Sequence, residues 1–294
     1  MKILVAVDQN PYSAHAVGEV AKLAANTWAN VSLLGIQSKY TGLRKKKGLK
    51  SADGPLPDAL FSLRSEFLSH FDRKECPYVL AESGQELIEI RKGLYEAPVV
   101  SKRGKKELGI RLRIGNPGKE ILNEAGEEQS DLIVLGCDDS NGCGWEGDAG
   151  VARKVAYDAS CSVLIVKKQK KNIKRIMCCL DHDHVSQPSL EMINQMVTLH
   201  GAQLTLIGLA ENLSLKIEVE KKMDKILRYY HARKIDPWIE LVEIASLDSF
   251  IAQESRWGLM ALWMGKQSIL ERALPRSKFN KLIKGGEASV LILR

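Results

Sequence analysis

Residues 131–166 read DLIVLGCDDSNGCGWEGDAGVARKVAYDASCSVLIV, and their pattern decides the fold. An apolar run at 132–135 ends at Gly136, a polar, glycine-rich loop follows, and residues 151–157 lead into a second apolar run at 163–166. The order is strand, loop, helix, strand. Both runs are valine, isoleucine and leucine without polar alternation, the pattern of strands buried on both faces of a parallel sheet. The loop therefore lies at a strand's carboxyl end, where open α/β sheets bind ligands.

Upstream, residues 3–7 form an apolar strand that runs into Asp8, and a turn passes through Asn10 and Pro11. Ser13 is placed to cap a helix whose apolar positions Val17, Val20, Ala21 and Ala24 fall at helical spacing. Residues 31–36 make the second strand of a right-handed parallel unit. From 37 to 106 the pattern loosens. Arg44, Lys45, Lys46, Lys47 and Lys50 precede DGPLP, which together read as an exposed, mobile loop. Residues 60–71 suit a helix with Phe61, Leu63, Phe67, Leu68 and Phe71 as its apolar set, and 82–95 suit another. Lys102, Arg103, Lys105 and Lys106 form a second basic cluster, read as solvated surface. The run LGIRLRI at 108–114 alternates and predicts a strand with one exposed face. Gly115-Asn116-Pro117 then turns into a helix over 118–126.

Downstream the plan repeats. Six of the nine residues 167–175 are basic, among them Lys167 and Arg175, and beyond them residues 176–180 run into Asp181 as 3–7 run into Asp8. A helix over 189–199, a strand over 203–209, a long helix over 213–233, a strand over 239–244 and a helix over 246–255 follow. LMALWMG, ending at Gly265, parallels DLIVLG ending at Gly136, and SVLIL parallels SVLIV. The first copy carries about 40 extra residues, mainly at 37–106, so the repeat predicts domains at 1–168 and 173–294 on one βαβαβ plan.

Length and composition agree with two soluble α/β domains. The chain has 294 residues, a formal net charge of +7 and six cysteines without a C-x-x-C pair. Reduced thiols and a cytoplasmic location are the expectation, since no run is long and apolar enough for a membrane span and the first residues read as a strand rather than a signal peptide.

The sequence resembles the universal stress protein family in tandem form, over nearly its whole length. The residues that carry the resemblance are ILVAVDQNPYS, RIGNPGKEILNEAGEEQSDLIVLG and VARKVAYDASCSVLIV. It implies two doubly wound, five-stranded parallel-sheet domains, Rossmann-like and similar to adenine nucleotide alpha hydrolases. It also implies pairing through terminal strands, so that a tandem chain forms an intramolecular pseudo-dimer.

Nucleotide-binding members share a loop G-x2-G-x9-G-[S/T], in which small residues admit backbone N–H groups to phosphates and a hydroxyl completes the anion site. Here Gly136 matches the first position, while Asp139, Ala149 and Gly150 stand where Gly, Gly and Ser/Thr are expected; Val151 begins the following helix. Asp8 matches the family's aspartate beside adenine and ribose, with Ile36 at the neighbouring strand end. In the second half Asp181 matches Asp8 and Gly265 the first glycine, while Arg276 and Ser277 replace Gly-Ser. These positions, Asp8, Ile36, Gly136, Asp139, Gly150, Val151, Asp181, Gly265 and Ser277, are the candidate nucleotide contacts, with ATP or AMP the candidate cofactor.

The remaining signals favour plain readings. GCGWEG at 142–147 starts too far after its strand for a dinucleotide fingerprint, Asp181-His182-Asp183-His184 reads as a solvated turn, and Cys137 with Cys143 reads as free thiols rather than a disulfide or metal site. No catalytic residue or metal-ligand set is visible. Two functions remain open. One is a non-catalytic stress-response or regulatory protein with degenerate nucleotide sites, working through protein interaction, with Arg44, Lys45, Lys46, Lys47, Lys50, Lys167 and Arg175 offered to an acidic or anionic surface. The other is an ATP- or AMP-binding regulatory module with at most slow hydrolysis.

Overall fold

The structure, a computed structural model, describes residues 1–38, 54–72, 74–78, 86–98, 105–137, 145, 150–167, 173–180, 185–210, 217–254, 258–264, 270, 274, 276–285 and 287–294. The chain divides into two compact units, Met1–Lys167 and Lys168–Arg294.

The first unit runs β1 (Lys2–Val7), α1 (Pro11–Asn26), β2 (Asn30–Gln37), α2 (Pro55–Ser69), β3 (Ile88–Arg91), β4 (Leu94–Glu96), β5 (Leu108–Ile114), α3 (Pro117–Glu127), β6 (Leu132–Cys137), α4 (Val151–Asp158) and β7 (Ser162–Lys167). The sheet order is β7-β6-β1-β2-β5-β4-β3. Five strands are parallel, and β4 and β3 add an antiparallel hairpin at the edge. The second unit runs β8 (Arg175–Leu180), α5 (Gln187–His200), β9 (Gln203–Ala210), α6 (Ile217–His231), β10 (Trp238–Glu243), α7 (Leu247–Glu254), β11 (Leu259–Trp263), α8 (Arg276–Gly285) and β12 (Ser289–Leu293). Its order is β10-β9-β8-β11-β12, all parallel. Setting the hairpin aside, the two units share one strand order, and each reverses between its first and fourth parallel strand, β1 and β6 or β8 and β11.

Every side chain of β6 and β7 is buried, as their unbroken apolar runs require. Helix α1 places Ala16, Val17, Val20, Ala21 and Ala24 on the sheet at helical spacing. Asn116 caps α3 by accepting from the Lys119 N–H, and Ser186 caps α5 by accepting from the Ser189 N–H. Among the described residues no helix is long and apolar enough to cross a membrane.

Several local expectations are corrected. DGPLP is no loop: Pro55 opens α2 at the position where a missing N–H costs nothing, and Leu56 and Pro57 are buried. Residues 44–50 lie outside the described residues, so their exposure stays an expectation. The helix expected at 82–95 is replaced, from Ile88 on, by the β3–β4 hairpin, which turns through Lys92 and Gly93 with Gly93 at φ +76°. The polar face of β5 is not open to water. Helix α3 lies over it, and its fully buried Glu124 accepts from Arg111 at 2.6 Å and from the buried Arg113. Glu96 and Glu128 on Arg111, and Glu120 and Glu127 on Arg113, complete the network.

Lys106 is also buried rather than solvated. Its ammonium donates to the carbonyls of Ala24, at 2.8 Å, and Thr27 at the carboxyl end of α1, and lies 5.5 Å from the Trp28 ring and 5.6 Å from that of Tyr78. Burial holds its pKa below the ordinary lysine value, although the neighbouring Cys76 pushes the other way. Those carbonyls are the negative pole of α1, so helix end and cation satisfy one another. Of the cysteines, Cys76, Cys161, Cys178 and Cys179 are free. Cys137 is disulfide-bonded, against the expectation of a thiol; Cys143 lies outside the described residues.

Candidate functional site

Asp8 follows the last residue of β1, in the turn that enters α1, and is buried. Its Oδ1 accepts from the Asn10 N–H at 3.0 Å and the Ser13 hydroxyl at 2.8 Å; its Oδ2 accepts from Asn10 Nδ2 at 2.6 Å and from the Tyr12 hydroxyl. The Ser13 oxygen in turn accepts from the Asp8 N–H at 3.0 Å. Ser13 is therefore not the helix cap. Asn10 occupies that position, and its side chain caps nothing. A buried carboxylate demands donors, and this turn supplies them all from its own residues. The sequence reading named Asp8 but missed Asn10 and Tyr12, whose signal is the spacing D-x-N-x-Y-S.

Pairing of Val7 with Gly35 and of Ala6 with Leu135 brings Asp8, Ile36 and Gly136 to the carboxyl ends of three adjacent strands, at the reversal of strand order. Gly136 is closed on one side. A Cβ there would lie 2.4 Å from the Tyr12 carbonyl oxygen, so the first turn of α1 packs directly on its backbone. Ile36 is buried, and beside it a Cβ on Gly35 would meet Leu60 at 2.9 Å and Leu56 at 3.3 Å, which shows α2 seated on the end of β2. Gly150 precedes α4 with φ −97° and ψ −13°, a conformation open to any residue, and Val151 is buried in the first turn. Asp139, Asp181 and Gly265 lie outside the described residues.

Residues 69–167, from the end of α2 through β7, match the model of the Universal stress protein family. The match lies within the first unit and covers about a third of the chain. Among solved structures, a universal stress protein from Archaeoglobus fulgidus is similar at 12% identity and TM-score 0.61, over 100% of this chain and 98% of that one. A functionally unknown protein from Pseudomonas aeruginosa is similar at 15% identity and TM-score 0.57, over 99% of this chain and 92% of that one. At such identities the likeness shows the shared fold alone. No curated protein matches the sequence.

The strand registers align the two units without reference to sequence. Leu132 pairs with Ile3 and Ser162, while Leu259 pairs with Ile176 and Ser289. Counting along β6 and β11 from these equivalent residues puts Trp263, not Gly265, at the place of Gly136. Gly265 lies two residues further on. Trp263 is fully buried, and its indole N–H has no hydrogen-bond partner among the described residues. Gly35 and Gly208 are equivalent by the same count, and Ser186 stands at the place of Ser13. Ser277, in the first turn of α8, is exposed.

A cavity of about 320 Å³ lies at the other, amino end of the first unit's strands, lined in part by Lys2, Asn30, Ser32, Glu107, Arg111 and Glu128. The basic residues expected at the surface are partly engaged inside each unit. Lys167 is buried, and Arg175 reaches Glu254 at 2.9 Å and Glu240 at 3.5 Å.

Proposed function

We propose that the chain is a member of the universal stress protein family and a non-catalytic regulatory protein that works through contact with other proteins, both of its strand-end nucleotide sites being degenerate. The engagement of Asp8 supports this reading most directly. Two hydroxyls, a backbone N–H and a side-chain amide already hold its carboxylate, which leaves little capacity for a ribose or adenine donor. In the second unit the bulk of Trp263 fills the place of a glycine. An incoming nucleotide must break the first arrangement or displace the second.

A second reading, an ATP- or AMP-binding regulatory module with slow hydrolysis, draws on the convergence of Asp8, Ile36 and Gly136 beside the N-terminus of α4. One measurement separates the two. Freshly purified protein is denatured and its released nucleotide quantified, and the stripped protein is titrated calorimetrically with ATP and AMP. The expected result is no co-purified nucleotide and no saturable heat; stoichiometric nucleotide sinks the first reading. A cytoplasmic location belongs to the same proposal, and the disulfide at Cys137 is the feature that points the other way.

A further inference from the structure

Five of the six exposed large hydrophobic side chains among the described residues lie on two strands, β3 and β10, each the outer strand at one end of its own sheet. The two edges are built differently. β3 has four residues, its register shifts between Glu89 and Arg91, and both charged side chains are engaged, Glu89 by the Gly93 N–H and Arg91 by Glu127. Short length, irregular register and charge are the devices that blunt an edge.

β10 lacks the first two of these protections. Its six residues keep one unbroken register with β9, from Trp238 opposite Thr205 to Glu243 opposite Ala210. Trp238 is 66% exposed, Ile239 48% and Leu241 39%. The segment's own charge has one sign, although Arg233 and Lys234 precede it. Residues 236–254 contain Asp236, Glu240, Glu243, Asp248 and Glu254 and no lysine or arginine, in a chain of net charge +7. Arg175 meets Glu240 and Glu254, and Asp236 faces His231; Glu243 has no ion pair among the described residues.

We propose that the β10 edge receives an extended segment of a partner protein, one that alternates apolar with basic side chains and adds as a further strand. Backbone pairing supplies affinity, Ile239 and Leu241 meet apolar side chains on one face, and Glu240, on the other face, selects lysine or arginine. A second copy of β10 is a poor occupant, because it carries no lysine or arginine to meet Glu240. The inference rests on the protein-interaction reading above and names the surface and the chemistry of the partner.

The test uses the full chain and a fluorescein-labelled peptide of roughly ten residues alternating valine and lysine, followed by anisotropy. Binding is expected for this peptide and absent for its valine–glutamate counterpart, and it should weaken as salt is raised. Two variants probe the edge, the double Ile239→Lys/Leu241→Lys and the single Glu240→Lys, with far-ultraviolet circular dichroism as the check of folding. The double variant should lose at least about tenfold in affinity and the charge reversal a smaller factor. Equal binding of the acidic peptide, or unchanged affinity in both variants, overturns the proposal. So does self-association of the unmodified protein that the double variant abolishes, since the occupant is then a second copy. Bound nucleotide in the earlier measurement would sink the regulatory reading alone, and failure of the peptide would sink this surface alone.

Discussion

Gly136 at the end of β6 and Tyr12 in the first turn of α1 touch backbone to backbone: a Cβ on Gly136 would stand 2.4 Å from the Tyr12 carbonyl oxygen and 2.7 Å from its ring Cδ2. The glycine thus has a packing reason that owes nothing to phosphate. Gly136→Ala should shift α1 against the sheet and cost about 1 to 3 kcal/mol, the usual range for overpacking a filled site. Urea unfolding of the variant checks this. Unchanged stability would mean that the contact relaxes freely and that glycine is there for another reason.

Asp8 makes a second prediction. Asp8→Ala removes the acceptor for Asn10, Tyr12 and Ser13 together and leaves donors half-buried. A loss of roughly 2 to 4 kcal/mol in unfolding free energy is expected, since bonds to a charged acceptor are among the stronger ones and do not add fully. If Asp8 served a ligand more than its own turn, the ligand-free variant would be as stable as the parent.

The reading of residues 131–166 carried over to the whole chain because strand burial is written in composition. β6 and β11 are apolar throughout, β7 and β12 are apolar but for polar residues at their ends, and none needs knowledge of partners to be recognised. Where the outcome depended on distant residues, the sequence was silent. Lys106 sits in a basic run that looks solvated, and only its approach to Ala24, far away in the chain, shows it capping a helix. The alternation of Ile88, Glu89, Ile90 and Arg91 before Lys92-Gly93 was a hairpin signal, and the helix reading passed over it. Gly265 was matched to Gly136 by the eye's preference for like residues, whereas strand register assigns the place to Trp263. The Asp8 position was legible; what surrounds its carboxylate was not.

The carboxylate–arginine network under α3 gives a third prediction. Glu124 is fully buried between Arg111 and Arg113, so Glu124→Ala leaves two guanidinium groups short of a partner and should cost about 3 to 5 kcal/mol. Combining Glu124→Leu with Arg113→Met should recover much of that loss, because a buried pair is worth little more than well-packed apolar side chains of similar volume. A double variant no more stable than Glu124→Ala would show that the network does more than offset its own burial.

The acid limb of stability follows from Glu127. Burial raises its pKa, but bonds to Arg91 and Arg113 outweigh this and leave it below the ordinary value. Its folded pKa is thus lower than its unfolded one, so the stabilisation is complete above the unfolded value of about 4.3 and is lost as pH falls through the folded one. Glu127 is nearly half exposed, so the effect is small and screened by salt. Glu127→Gln should lie below the parent in stability near neutrality and converge with it as pH drops below the glutamate range, as followed by urea midpoints at stepped pH.

Trp263 decides the fate of the second unit's site. Its side chain is buried at the end of β11, and its N–H lacks a partner among the described residues, a combination that costs stability. Trp263→Phe should therefore leave stability within about 1 kcal/mol of the parent, since the lost contact area and the relief of an unsatisfied donor act in opposite directions. Trp263→Gly restores the residue found at Gly136, yet it should cost about 3 to 5 kcal/mol or more, because it removes a fully buried indole and leaves a cavity. Calorimetry of Trp263→Gly with ATP then separates volume from chemistry. Heat of binding that appears only in the glycine variant would show the tryptophan to be a plug in an otherwise competent site. Its absence, in a variant that remains folded, would place the loss of the site in the rest of the unit.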